Sequence, residues 1–365
     1  MKKKNGGRKR FLVAPLDWGL GHAARCIPVV RALLDMQQDV VIAASGNPAR
    51  FLSEEFPQCA IAPITNYRMT YTAYPFLMAL KFPFMVAKVY RTAPRERHDI
   101  ERLVEKHDID VVISDQRFGC HTTKARSIYI THQLCVKMPP VFGRLERLVA
   151  RKLREAAGKF DEVWIPDYSG SDNLTGDLTR KYPLPPRHRF IGPLSRFDGV
   201  APDIRDLAAP DILVMLSGPE PQRSVLERIM RAQLAAHRGG HSVMLLGRPE
   251  RSGSELVSDS LECFPHLSTR MTAGLLHRAA AVVCRGGYTT IMELVKMGKR
   301  AVLIPTPGQT EQEYLCGRMK DKGWAVSYPQ SRFNLLKALN EVTKIPPPQP
   351  PKGQEGLLVE ALEHL

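Results

Sequence analysis

The chain lacks the cysteine spacing of a stapled or zinc-bound fold. Its seven cysteines (Cys26, Cys59, Cys120, Cys135, Cys263, Cys284 and Cys316) are scattered, odd in number and never spaced Cys-x-x-Cys. That usage predicts reduced thiols in a cytoplasmic protein rather than a disulfide framework. No cluster of histidine and cysteine has metal-ligand spacing, and Asp108-Ile109-Asp110 reads as a turn leading into a strand, so no metal is expected. Long apolar runs are missing too. Phe11 to Pro15 is too short for the core of a secretion signal, so the start MKKKNGGRKR predicts a basic, disordered tail over residues 1–10 and neither export nor a spanning helix. No aromatic platform motif accompanies that tail, and nucleic acid is not an expected partner.

What is present is an ordinary folded composition over 365 residues, enough for two domains, each with its own core. The net charge of +15 is unevenly placed: residues 1–200 carry 32 Lys and Arg against 20 Asp and Glu, and the remainder 20 against 17. An excess confined to one half predicts that this half meets an anionic partner. Strand-like runs alternate with helical periods, at 10–14, 39–44, 110–114, 127–130 and 162–165, then at 212–216, 242–246, 267–271, 281–284 and 301–304. Such alternation specifies parallel sheets with crossover helices. A Gly-, Pro- and Asp-rich stretch at 193–210 is the best linker. It separates a first domain, 11–192, from a second, 211–345, followed by a Pro-rich exit and terminal helix over 346–365. From 71 to 97, aromatic, aliphatic and basic residues mix with Pro75, Pro83 and Pro94. That segment is too interrupted to span a bilayer; it either packs as core helices or touches a membrane surface with one face.

Four loops follow predicted strands, where open parallel sheets bind their ligands: Gly19 to His22, Ser217 to Arg223, Arg285 to Thr290 and Pro307 to Glu313. Two of them lead into helices with the capping-box pattern, Thr290-x-x-Glu293 and Thr310-x-x-Glu313. Glycines ahead of a helix start leave unpaired N–H groups and a positive dipole end exposed, which favours an anionic ligand, a phosphate first.

Together these motifs resemble the two-domain GT-B glycosyltransferases, in particular the family 28 group that includes the N-acetylglucosaminyltransferase completing lipid II and the plant galactolipid synthases. The likeness is clearest over 281–320, fair over 10–35 and 211–230, and thin elsewhere. It implies an α/β fold of two Rossmann-like, doubly wound domains facing a central cleft. The second domain would hold a nucleotide-diphosphate sugar, usually uridine-linked, and the first the acceptor. By the resemblance, Glu293 takes the ribose hydroxyls, and Gly286, Gly287 and Thr290 form the turn that approaches the diphosphate. Gln312 and Glu313, with Gln309 beside them, contact the sugar. Ser217 and Gly218 close on the phosphates, and Arg223 or Arg285 neutralises the leaving diphosphate. Met215-Leu216 stands where the family carries a glycine pair, and Pro219 and Pro221 stiffen that loop.

On the acceptor side the matching turn is Gly19-Leu20-Gly21-His22-x-x-Arg25, with His132 at a neighbouring strand end. His22 can serve as the base that removes the acceptor's hydroxyl proton; Asp115 and His132, at strand ends on the same side, are the alternatives. The expected activity is inverting hexosyl transfer from a UDP-sugar co-substrate, without further cofactor, to a lipid-linked or other membrane-proximal glycan acceptor of the cell envelope. The expected location is cytoplasmic, peripheral on the anionic inner face of the cytoplasmic membrane. Two readings compete. Some nucleotide-sugar hydrolases resemble this family and share a GxGHxxR loop, and a non-catalytic nucleotide-binding relative would also fit the fold.

Overall fold

The computed structural model describes residues 8–67, 75–138, 140–203, 208–237 and 239–365. Most of the expected basic tail (1–7) and the opening of the mixed segment (71–74) lie outside the described residues. The chain divides into two compact units. One holds the residues up to Met69 with Lys81–Ser195 and Pro351–Leu365; the other is built on Arg196–Pro350. The change of unit between Ser195 and Arg196 falls inside the expected linker.

The first unit carries strands β1 (Arg10–Pro15), β2 (Asp39–Ala43), β3 (Ala60–Ala62), β4 (Val111–Asp115), β5 (Arg126–Ile130), β6 (Glu162–Ile165) and β7 (His188–Phe190). They form one sheet in the order β3-β2-β1-β4-β5-β6-β7, every neighbour parallel. Its helices are α1 (Leu20–Asp35), α2 (Gly46–Glu55), α3 (Pro75–His107), α4 (Glu146–Ala157) and the short α5 (Asp177–Arg180). The strands are near-continuous apolar runs because helices cover both faces of a parallel sheet. Leu12, Val112, Val41 and Ala43 pack with Ile100, Leu103 and Val104 of α3 on one side. Tyr129, Val163 and Ile165 pack with Ala157 and Phe160 in a further cluster.

The second unit repeats the plan. Its strands are β8 (Ile212–Met215), β9 (Ser242–Leu245), β10 (Glu255–Ser258), β11 (Leu261–Phe264), β12 (Ala281–Cys284), β13 (Ala301–Leu303) and β14 (Ala325–Ser327), in the order β10-β11-β9-β8-β12-β13-β14. All neighbours are parallel except the β10–β11 hairpin at the edge. Helices α6 (Gln222–Ala236), α7 (Thr269–Arg278), α8 (Tyr288–Lys296), α9 (Thr310–Asp321) and α10 (Leu335–Val342) surround it. Strand order reverses between β1 and β4 in one sheet and between β8 and β12 in the other. These are the switch points where such folds place ligands, outside the carboxyl ends of the strands.

Some local expectations fail for identifiable reasons. The strand expected at 267–271 is β11, at Leu261–Phe264. Ser268 instead caps α7, its Oγ accepting the Met271 N–H at 3.3 Å, a helix start that the apolar spacing of Leu267 and Met271 disguised. Neither capping box forms. Gly287 is the residue preceding α8, so Thr290 lies inside the helix, and α9 begins on Thr310 itself; neither helix has a side-chain cap bond. In place of the second box, Glu313 accepts the Gly308 N–H at 3.2 Å.

The terminal helix α11 (Leu357–Glu363) belongs to the first unit. Lys9 Nζ donates to the Leu365 carbonyl at 2.7 Å and Arg126 to that of His364 at 3.1 Å. Among the described residues, no helix is long and apolar enough to cross a membrane.

Candidate functional site

In the first unit the chain leaves β1 at Pro15, turns through Asp17 and Trp18, and enters α1 after Gly19. Gly19 has φ +127°, a conformation that side chains resist. The turn is tied down from a distance. Arg117, fully buried, donates from Nε to the Pro15 carbonyl at 2.7 Å and from an Nη to Glu96 at 2.6 Å. The Tyr67 N–H donates to Asp17 at 2.7 Å, and the Tyr67 hydroxyl to Glu96 at 2.5 Å. None of Asp17, Tyr67, Glu96 or Arg117 stands out in the sequence, because partners 21 to 50 or more positions apart leave no periodic signal.

This frame presents His22 at the start of α1, over the end of β4. His22 Nδ1 lies 2.8 Å from Asp115 Oδ2, and the imidazole is 18% exposed while the carboxylate is 0% exposed. Asp115 is therefore the support of His22 and not itself open to an acceptor. Arg25, one turn along α1 and 1% exposed, donates to Asp115 Oδ1 and lies 2.9 Å from His22 Nδ1. Its other terminal nitrogen donates to His132 Nδ1 at 2.7 Å, which Gln116 also approaches at 3.0 Å. His132 is buried behind Arg25. Burial pushes the Asp115 carboxyl up, but Arg25 and then His22 outweigh it and hold it below the ordinary carboxylate range. The three residues expected to compete for the basic role, His22, Asp115 and His132, thus form one chain through Arg25, His22–Asp115–Arg25–His132, in which only the imidazole of His22 reaches solvent.

In the second unit the expected donor loops lie at the carboxyl ends of β8, β12 and β13. Gly286 is required by packing: a Cβ there would fall 2.0 Å from the Cys316 Sγ of α9. Gly287 has nothing within 4 Å of that position, leaving open space at the N-terminus of α8. Arg285 points inward, 1% exposed. It donates to the carbonyls of Gln222 (2.8 Å), Pro305 (3.1 Å) and Ile304 (3.3 Å) and to Gln330 Oε1 (2.7 Å). Burial pushes its guanidinium down to about 10. The side chain therefore clamps the ends of three loops instead of extending to a diphosphate. Arg223 is likewise engaged, with the Leu246 carbonyl at 2.6 Å and with Glu220.

Gln312 accepts the Thr306 N–H at 2.8 Å and donates to Gln309 at 2.6 Å, bracing the loop before α9. Ser217 and Gly218 follow β8, Gly218 with φ +99°. Two features escaped sequence reasoning. Thr306 is 2% exposed and its Oγ1 has no hydrogen-bond partner among the described residues; it lies 3.7 Å from the space beside Gly218. Glu293 is buried, which pushes its carboxyl up, and Arg196 Nε, 3.1 Å from it, works against that shift. A separate groove of about 1030 Å³, lined among others by Lys124, Arg126 and Lys159, lies at the amino ends of β4 to β7, away from His22.

Residues 257–355 match the glycosyltransferase family 28 C-terminal domain. The second unit thus carries a stretch similar to the family 28 C-terminal domain, and the whole chain has the GT-B fold. An uncharacterized glycosyltransferase of Methanosarcina acetivorans is 22% identical over 353 residues, covering 89% of this chain and 87% of that protein. Among solved structures, the glycosyltransferase of kitacinnamycin superposes with a TM-score of 0.61 at 16% identity, covering 98% of this chain and 96% of the other. Spinosyn rhamnosyltransferase SpnG, complexed with thymidine diphosphate, gives 0.59 at 15%, with 97% and 100% covered. MurG of Acinetobacter baumannii gives 0.53 at 13%, with 98% and 100% covered. These likenesses show the GT-B fold. The family 28 domain spans β11 to β14, the strands that carry the Arg285–Glu293 and Pro307–Glu313 loops.

Proposed function

We propose that this glycosyltransferase moves a sugar from a nucleoside diphosphate, UDP first, to an acceptor hydroxyl with inversion at the anomeric carbon, and that His22 is its base. The observation that carries the reading is an imidazole at a helix start whose Nδ1 faces a fully buried, ionised carboxylate. Asp115 accepts only, and in this reading its charge outweighs the Arg25 N–H that also approaches Nδ1, so Nδ1 carries the proton and Nε2 keeps a lone pair. Nε2 takes the acceptor's hydroxyl proton as the oxygen bonds to the anomeric carbon. The bond from that carbon to the diphosphate breaks, and its electron pair leaves with the phosphate. The open space over Gly287 and the helix start behind it suit the departing charge. Glu293, Thr290, Gln309, Gln312 and Glu313 are the donor-side residues of this reading, and Thr306 joins them.

The acceptor we propose is lipid-linked or otherwise membrane-proximal. The exposed face of α4 and the turn before it carries Arg144, Arg147, Arg151 and Lys152 around Leu145 and Leu148, which are 46% and 47% exposed. A basic helix face with exposed leucines suits an anionic lipid surface. On α3, Phe84 and Tyr90 are exposed as well.

The hydrolase reading keeps the same base and replaces the acceptor by water; the Gly19 to Arg25 loop favours it as the second choice. Incubation with UDP- and thymidine diphosphate-linked sugars, with and without acceptors, tests both. Transfer that depends on acceptor supports the proposal; nucleotide release at full rate without any acceptor overturns it in favour of hydrolysis. Sedimentation with anionic against zwitterionic vesicles tests the lipid surface, and equal recovery with both would remove it.

A further inference from the structure

Arg25 and His132 have no place in the proton transfer itself, yet they are buried in its foundation. Asp115 sits in a position that burial alone would leave protonated. The groups packed around it explain why it is not. Cys26 on α1 and Tyr129 on β5 are near enough to feel its charge, and burial pushes both upward, so both stay neutral. His22 lies on one oxygen and Arg25 on the other. His132 and Gln116 stand behind Arg25, and Arg25 is the first of the groups that hold the carboxyl down.

The ionisation of Asp115 decides which nitrogen of His22 is protonated. As a carboxylate it only accepts, so the 2.8 Å contact calls for hydrogen on Nδ1, against the Arg25 N–H that approaches the same nitrogen at 2.9 Å, and Nε2 then faces outward bare. As a carboxylic acid it donates. Its O–H would then point at a bare Nδ1, the hydrogen of the ring would move to Nε2, and the exposed nitrogen could no longer take up a proton. The 2.8 Å contact fits either state, whereas the Arg25 N–H at 2.9 Å fits only a bare Nδ1; the charge of Asp115 has to outweigh that donor for Nδ1 to carry the hydrogen.

We propose that Arg25 is a positioning residue that fixes the tautomer of His22 by keeping Asp115 an acceptor, and that His132 orients Arg25 for this task. The inference rests on the reading of His22 as the base but is tested without turnover. His132 Nδ1 receives the Arg25 N–H at 2.7 Å, so it is the lone-pair nitrogen of a neutral ring. Its role is to hold one end of the guanidinium while the other end meets Asp115. The Arg25 Nε has no hydrogen-bond partner among the described residues, so the orientation of this side chain rests on its two terminal nitrogens.

The experiment is ring-nitrogen NMR on the full chain labelled with ¹⁵N-histidine, recorded at a pH where free imidazole is neutral. The His22 signals are assigned among the 11 histidines by their loss in His22→Gln. In the wild type, Nδ1 is expected to be the protonated nitrogen and Nε2 the bare one. In Arg25→Met the two are expected to exchange. Arg25→Gln keeps a hydrogen-bond donor and removes only the charge, and is expected to exchange them as well, which covers the case that the methionine variant does not fold. Arg25→Lys, which keeps the charge, is expected to retain the wild-type pattern. A folded Arg25→Gln or Arg25→Met protein whose His22 keeps hydrogen on Nδ1 overturns the proposal. The same result in a variant that has lost sugar transfer would still overturn it while leaving His22 as the base. Exchange of the tautomer in a chain that transfers no sugar would support the positioning role and count against the catalytic reading alone.

Discussion

Replacing Arg285 by methionine separates a clamp from a ligand-binding cation. The guanidinium makes two short bonds, to the Gln222 carbonyl at 2.8 Å and Gln330 Oε1 at 2.7 Å, and two longer ones to Ile304 and Pro305. Hydrogen bonds from a charged donor are worth about 1.5–3 kcal/mol each, so the two short ones contribute roughly 3–6 kcal/mol. Against that stands the burial of a guanidinium with no carboxylate partner in these contacts. Its fall from 12.5 to about 10 corresponds to roughly 3 kcal/mol that methionine would not lose. The difference is a net destabilisation of up to about 3 kcal/mol with a midpoint of about 1.5, which lowers the melting temperature of a domain this size by about 3–6 °C. Calorimetry of Arg285→Met measures it. A melting temperature unchanged or raised would refute the reasoning, because the acceptors would then be satisfied without the side chain. A large loss of donor affinity at unchanged stability would return Arg285 to direct contact with the diphosphate.

Other perturbations discriminate equally. Glu293→Gln keeps the shape of the side chain and removes the charge that pairs with Arg196, so stability should change by only about 1–2 kcal/mol while the KM for donor rises about 10-fold or more; a large drop in Tm at unchanged KM would make the residue structural. Gly286→Ala places a methyl 2.0 Å from Cys316 Sγ and should cost about 1–3 kcal/mol, which Cys316→Ala in the same chain should largely restore; two additive losses would contradict the contact. Asp115 titrates lower in the folded than in the unfolded chain. Its contribution is therefore fully present above the unfolded value of about 3.9 and is lost as pH falls through the folded one. Urea midpoints of the wild type should fall with acid over that window more steeply than those of Asp115→Asn, and parallel slopes would contradict the shift.

The fold was legible because its signals are local. Apolar runs such as RFLVA and AVVC, each followed by a glycine turn and a helical period, specify strand–helix units, and their alternation specifies the parallel sheets. The short edge strands at 60–62, 188–190 and 325–327 were not, since three residues carry no period. Among the candidate site residues, His22 and the Gly286–Gly287 turn stand out from loop chemistry alone. What the sequence could not show is direction. Arg285 and Glu293 lie in the stretch expected to hold the donor, yet both are buried, Arg285 against loop carbonyls and Glu293 beside Arg196. His132 and Asp115, equal candidates for the base on their positions at strand ends, prove to be stacked beneath His22. The stacking beneath His22 depends on partners 90 to 107 residues away and the turn of Arg285 on partners 19 to 63 away, and a one-dimensional pattern holds no record of them.

The central claim is that His22 takes the acceptor's proton, and its most direct test is the kinetics of His22→Ala with an acceptor and donor that the wild type uses. The expected result is a kcat lower by about 10² to 10⁴, with the KM for donor and the melting temperature both close to wild type. A variant that retains transfer at more than about a tenth of the wild-type kcat would place the base elsewhere and contradict the account.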